Sequence, residues 1–460
     1  MNSNNVRLQK KLLPRHISLM AMGGAIGTGI FKGSAETVSI AGPGVIFTYI
    51  LAGLFLIVVM GAIVEMAIVY PDTNIKGFVQ KAFGKRASFV MGWMYCFMWL
   101  SVCVIEVVAA GSFLQYWLPS IPLWVLSLCC TVFVIWINMM NVKNYGEFEF
   151  WFAGIKIAMI IVFIILGACI IFGIIPSGKS NYLQNYINHG GFFPNGWMPI
   201  FSALLIVMFS YGGSELIGVT ITETNNAENI LPKLIKNFIL RIVLFYTLPI
   251  LIICGLVPWN ELNDQASPFV QVLSMTGLQG AAHIMNFILI TAVLSAANSG
   301  IYGCTRMLYS LAIGGEAPKS FAYVSKKGVP LASLLLTGTT LTIGSIVAFI
   351  AQDQVFNILM AVPGFVVMLV WIGICSAQLK LRYSYIKNPS FKVWGFPYTT
   401  GFTLVFLISS LTTFVFNEQH RISIMVCLAV LVALLTISTL KFKNKNEQDT
   451  NSEEKRLYKN

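Results

Sequence analysis

Charge is scarce in this chain. Only 10% of its 460 residues are Asp, Glu, Lys or Arg, against 57% hydrophobic residues and a mean hydropathy of +0.77. A soluble globule carries about a quarter charged residues, so that class is excluded and a polytopic helical membrane protein is indicated. Histidine is scarcer still. His16, His189, His283 and His420 are scattered, and no Ser/His/Asp or Cys/His grouping forms around them. The glycine-rich phosphate loop of an ATP-driven pump is missing too. An enzyme is therefore not expected. The cysteines (96, 103, 129, 130, 169, 254, 304, 375 and 427) fall in apolar runs without metal-ligand spacing, so they read as packing residues, and no metal or cofactor is expected.

The net charge of +12 would suit nucleic acid, but its placement does not. Apolar runs at 17–40, 44–69, 89–117, 122–141, 149–174, 197–222, 236–257, 280–311, 331–351, 355–380, 399–416 and 421–440 give twelve expected spans. With a cytoplasmic N-terminus, 26 of the 30 Lys and Arg residues fall on the cytoplasmic side. Lys32, Lys179 and Arg421 lie outside, and Lys156 falls within a span. The basicity is topology, with both termini cytoplasmic, and nucleic acid is not an expected partner. The first run is too long for a signal-peptide core and lacks a small-residue cleavage site, so it reads as a retained span of a cell-membrane protein.

What the chain does have is glycine in unusual places. Gly23-Gly24-Ala25-Ile26-Gly27-Thr28-Gly29-Ile30-Phe31 sits inside span 1. Each glycine costs about 1 kcal/mol of helix propensity, and backbone freed inside a bilayer must find partners in protein, solute or water. One reading is a broken helix that binds a solute through its backbone. The other is close helix packing of the GxxxG kind, whose spacing Gly23 and Gly27 share. Span 6 carries a second interruption, Phe209-Ser210-Tyr211-Gly212-Gly213-Ser214-Glu215-Leu216-Ile217-Gly218. Two interrupted helices, five spans apart and opposite in direction, mark an inverted repeat and favour the binding site. The expected organisation is a cytoplasmic tail 1–16, first repeat 17–174, second repeat 197–380, spans 11 and 12 at 399–440, and a tail 441–460. Half-helix N-termini suit a carboxylate and freed carbonyls suit an ammonium, so the site fits both ends of an α-amino acid.

These segments resemble a known family. Leu13-Pro14-Arg15-His16-Ile17, then Gly23 to Phe31, then Ala41-Gly42-Pro43, look like the opening of amino acid permeases. Glu147 to Lys156, Gly213 to Gly218, and Ser295 to Tyr302 with Arg306-Met307-Leu308 continue the likeness. More narrowly, the chain is similar to the bacterial amino acid transporter family of the amino acid–polyamine–organocation superfamily, from about Leu13 to Pro397. It departs at Ile75-Lys76-Gly77-Phe78, where the family has Gly-Ser-Phe, and at Glu223 to Ala227, where it has Glu-Asn-Pro. The resemblance implies a LeuT-like, all-α fold of twelve transmembrane helices, a 5+5 inverted repeat with broken helices 1 and 6 plus two extra helices. It also implies a secondary transporter importing an amino acid by alternating access with proton symport. Gly24, Ala25, Ile26, Gly27, Thr28, Gly29, Glu106, Phe209, Tyr211, Gly213 and Glu215 are the expected substrate contacts. Few charges beyond Glu106 and Glu215 reach this set, which favours a neutral side chain. A cationic amino acid permease or an exchanger is the alternative. A membrane-embedded sensor would carry a larger signalling tail. The expected partners are the amino acid, protons and the bilayer, with the chain a monomer or weak oligomer.

Ionisable groups inside spans need reasons, since a charge at the bilayer centre costs about 2.5–3.5 kcal/mol on insertion scales. Glu65, near the inner end of span 2, is expected to reach water. Glu106 faces either the cavity or a polar neighbour in the bundle. Glu215 either caps its half-helix or meets the substrate. Phe209 reads as a gate or as one more core aromatic. Arg306 is expected to anchor at the interface. Lys156 lies two turns into span 5, with no neighbouring carboxylate expected on its own helix face, since Glu149 is seven residues away and expected at the water boundary. It either snorkels to the headgroups or couples transport to protons, since a buried lysine can exchange its proton where an arginine cannot. By resemblance, proton-coupled members of the superfamily place a span 5 lysine where sodium-coupled relatives bind sodium, which favours coupling. Ser295 and Ser299 are the expected partners of its charged form, together with carbonyls of the span 1 break.

Overall fold

A computed structural model describes residues 24–140, 142–175, 182–220, 231, 244–262, 266–325, 327–415 and 421–457, without the side chains of 142–145, 220, 348–360 and 444–457. The N-terminal tail, residues 17–23 with Gly23, Lys179, the departure at 223–227 and the first part of expected span 7 lie outside these residues. The described residues form helices and no strands. Among them, eight helices are long and apolar enough to cross a membrane: Gly33–Val69, Ile75–Gln115, Gly146–Ile171, Met198–Val219, Gln279–Ile313, Ala361–Arg382, Tyr398–Val415 and Arg421–Lys443. Shorter apolar helices, Leu123–Asn138, Leu244–Leu256 and Leu331–Val347, occupy expected spans 4, 7 and 9.

Local chemistry sets the helix ends. The run Gly33–Val69 turns at Gly42-Pro43-Gly44, where Gly42 has φ +61° and proline supplies a fixed φ without a donor. Ile75–Gln115 starts at Asn74, whose side-chain oxygen accepts from the Gly77 amide at 3.1 Å. The chain then bends at Gly84 (φ +84°), which separates a short leading helix from span 3. The helical run Leu331–Arg382 holds expected spans 9 and 10 as its two apolar parts, Leu331–Val347 and Ala361–Arg382.

Burial sorts the helices into inner and outer. The apolar window of Met198–Val219 is 83% buried, whereas those of Gly146–Ile171 and Arg421–Lys443 are 28% and 22% buried. Spans 3 and 8 pack along much of their length around small residues. A Cβ on Gly300 would lie 2.6 Å from both Cys103 Sγ and the Trp99 ring, so only glycine admits that tryptophan. The outer connection folds over the bundle. Asn195 donates to Ile40 O at 2.9 Å, Asn185 to Gly255 O at 2.7 Å, and the Tyr186 hydroxyl to Leu251 O at 2.5 Å. It therefore straps the outer ends of spans 1 and 7 together.

Candidate functional site

Both expected interruptions are present, and they meet. Span 1 leaves helical geometry at Ile26 and Gly27 (φ −145°, ψ −150°) and resumes at Thr28–Phe31. Span 6 leaves it at Gly212 and Gly213, where Gly213 has φ +98°, a conformation that side chains resist. A Cβ on Gly29 would lie 2.6 Å from Ser210 Cα, and one on Gly213 would lie 2.5 Å from Gly24 O. Glycine is what lets the two backbones touch.

Side chains from surrounding helices occupy the freed backbone groups. The Thr28 amide donates to the Glu106 carboxylate at 3.0 and 3.1 Å, and the Thr28 hydroxyl donates to it at 2.6 Å. Glu106 thus pairs within the bundle, on the half-helix N-terminus that suits an anion. The Gly213 amide donates to Glu215 at 3.0 and 3.1 Å, and Trp371 Nε1 lies 3.5 Å from the same carboxylate. Glu215 therefore caps its own break. The Tyr246 hydroxyl lies 2.5 Å from Ala25 O and 2.6 Å from Ser210 O, joining the two breaks from span 7.

Lys156 does not snorkel. It is 1% exposed, and its Nζ donates to Ile26 O at 3.1 Å and Ala292 O at 3.3 Å, tying the span 1 break to span 8. The expected hydroxyl partners face elsewhere: Ser295 and Ser299 donate to Glu149 at 2.6 and 3.0 Å, joined by Asn298 at 3.0 Å. Asn138 of span 4 donates in turn to Asn298 Oδ1 at 2.7 Å. Glu149, expected at the water boundary, is fully buried and interacts electrostatically with Lys156, as does Glu106. Seven residues are two helical turns, so Glu149 and Lys156 share a face. That spacing is the signal for it in the sequence.

Other expected positions shift. Phe209 is buried, and its carbonyl accepts from the Gly212 amide at 2.9 Å, leaving Ser210 O as the span 6 carbonyl that faces span 1. The Tyr211 ring lies 4.5 Å from that of Tyr246, and its hydroxyl donates to Tyr49 O at 3.0 Å. Glu65 does not reach water: it accepts from Arg382 at 3.2 Å, Gln378 at 3.2 Å and the Val393 amide at 2.7 Å. These partners come from the end of span 10 and the segment after it, which fold over the inner end of span 2. Arg306 is 7% exposed, with its guanidinium 4.0 Å over the Tyr302 ring, and so is packed inside the protein instead of anchoring at the interface.

With two touching breaks, each holding a buried carboxylate, the chain also has counterparts among known proteins. A family model for amino acid permeases matches residues 16–451. The chain belongs to the amino acid permease family. It shares 42% identity over 415 residues with the uncharacterized amino acid permease YvbW of Bacillus subtilis, covering 89% of this chain and 92% of that one. The γ-aminobutyric acid permease of the same organism is 37% identical over 450 residues, covering 97% of this chain and 96% of its own. The amino-acid permease RocC, also of that organism, is 35% identical over 393 residues and 84% of each chain. This permease is therefore a multi-pass membrane transporter and not an enzyme. Tyr246, Asn138 and Trp371 are not among the expected positions, and Glu149 and Asn298 are named in the sequence without these partners.

Proposed function

We propose that this permease carries an α-amino acid across the cell membrane by alternating access, with the solute held where the breaks of spans 1 and 6 meet. The observation that carries the reading is Tyr246 bridging Ala25 O and Ser210 O, because it puts freed carbonyls of both breaks within reach of one polar group. The substrate ammonium goes to these carbonyls and that of Gly24. The carboxylate goes to the amides of Ile26 to Gly29, where it competes with Glu106 for Thr28. The twelve spans, the 5+5 inverted repeat and cytoplasmic termini belong to the same reading. A neutral side chain is favoured because Glu106 and Glu215 are both committed to backbone amides. The names of the relatives keep the solute among amino acids.

The coupling ion in this reading is the proton, through Lys156. Its charged form holds Ile26 O and Ala292 O together, and losing the proton weakens that grip and lets spans 1 and 8 part. Protonation is thereby linked to the side on which the site opens. The test is uptake of a panel of labelled amino acids into vesicles containing the purified protein, under an imposed pH gradient. Wild type should accumulate substrate with the gradient. Lys156→Ala should bind but not accumulate, and Lys156→Arg should fail because guanidinium keeps its proton. Uptake that ignores the pH gradient and follows sodium overturns the proton reading, and so does normal accumulation by the arginine variant.

A further inference from the structure

The outer surface of the bundle carries a cleft unconnected with the helix breaks. Its volume is about 560 Å³, and its walls come from the short leading helix with the first turns of span 3, the last turns of span 10 and the last turns of span 12. Met91, Leu369, Gly373, Leu431 and Leu435 make it apolar, and Phe83, 44% exposed, stands at its edge. Span 3 runs opposite to spans 10 and 12, so its first turns and their last turns meet at one end of the bundle, which places the cleft in one leaflet. In the topology set by the basic loops, that is the cytoplasmic leaflet.

Cations stand in and beside this cleft. Arg86 is part of the lining, with its backbone carbonyl accepting from Ser438 of span 12 at 3.2 Å. Lys380 Nζ sits 5.0 Å over the Phe83 ring, and Lys441 Nζ sits 5.6 Å over the Phe89 ring. All three cationic residues are exposed, and no lining residue is acidic. A larger cleft of about 780 Å³ between spans 4 and 9, by contrast, has no charged residue in its lining. Apolar clefts alone are ordinary on a membrane protein. One with Arg86 in its lining, Lys380 over its edge ring Phe83 and Lys441 two residues beyond its lining residue Thr439 is suited to a ligand with an apolar tail and an anionic head.

We propose that this cleft binds an anionic phospholipid of the cytoplasmic leaflet, one acyl chain lying along Met91, Gly373 and Leu435 and the phosphate held by Arg86, Lys380 and Lys441. The lipid would staple span 12, whose apolar window is otherwise little buried, to spans 3 and 10. The experiment is native mass spectrometry and thermal unfolding of the full purified chain in detergent, titrated with phosphatidylglycerol or phosphatidylcholine. Wild type should retain phosphatidylglycerol at least tenfold more tightly than phosphatidylcholine and unfold at a higher temperature with it. The triple variant R86Q/K380Q/K441Q should lose that preference. Leu435→Trp, which fills the cleft from its exposed edge and leaves the charges, should lose retention of both lipids. K380Q alone should weaken the preference severalfold, a variant that keeps the test decisive if the triple one does not fold. Unchanged phosphatidylglycerol retention in the charge variants overturns the proposal. Equal retention of both lipids by wild type does so too, as does full competition by glycerol 3-phosphate, which marks a headgroup-only anion site. A dimer that buries the cleft without lipid would assign the surface to a second copy instead.

Discussion

Glu149 and Lys156 share one face of one helix yet hold different parts of the molecule. The carboxylate gathers Ser295, Ser299 and Asn298 of span 8, while the lysine reaches the Ile26 carbonyl in the broken span 1 and the Ala292 carbonyl. The carboxylate fixes the lysine's helix to span 8, and the lysine connects that unit to the break.

Glu149→Gln should separate these roles. The amide keeps the shape but loses the charge facing Lys156, and one of its two acceptor positions becomes a donor opposed to Ser or Asn donors. Accumulation driven by a pH gradient should fall at least tenfold while equilibrium binding changes less. Equal loss in both measurements would make the residue structural only.

Gly27→Val adds bulk where a Cβ would already lie 2.9 Å from the Ala296 Cβ and press on the Glu106 carboxylate, and Gly29→Val meets the Ser210 backbone. Overpacking of this kind costs about 1–3 kcal/mol. Substrate binding should disappear from protein that still inserts and purifies as a single species. Normal affinity in well-folded Gly27→Val would remove the backbone site.

Tyr246→Phe leaves Ala25 O and Ser210 O without their shared donor inside the bundle. An unsatisfied buried group costs about 1–3 kcal/mol, so thermal stability should drop, and uptake should drop with it. Added substrate should restore more of the lost stability in this variant than in wild type, read as a larger ligand-induced shift in unfolding temperature.

Phe209→Ala deletes a ring that is 4% exposed beside the span 6 break. The core cost is about 3–5 kcal/mol. If the ring closes the outer path, the variant should also release preloaded substrate faster from vesicles at a temperature where it stays folded. Unchanged release kinetics would mark the ring as packing.

The helix interruptions are legible in the sequence because glycine clusters inside apolar runs have few other uses. The Gly42-Pro43-Gly44 turn is legible for the same local reason. Glu106 and Lys156 stand out because charge is expensive in a span. Tyr246 does not, since a tyrosine in an apolar helix looks like any other core aromatic until the fold brings two carbonyls to its hydroxyl. The partners of Ser295 and Ser299 depend on which helix face lies opposite span 8, and span hydropathy carries no such information.

Tyr246 has one further consequence, which lies in counting protons. A phenol brings a single hydrogen, yet two carbonyl oxygens lie within 2.6 Å of it, so at any instant one of them is undersupplied. An ammonium entering the same place brings three. It can serve both oxygens and keep one hydrogen for Gly24 O or water, so replacing the phenol yields more hydrogen bonds than it breaks. Solutes should then lose affinity stepwise as methyl groups replace those hydrogens, and a quaternary amine, with none to give, should be refused.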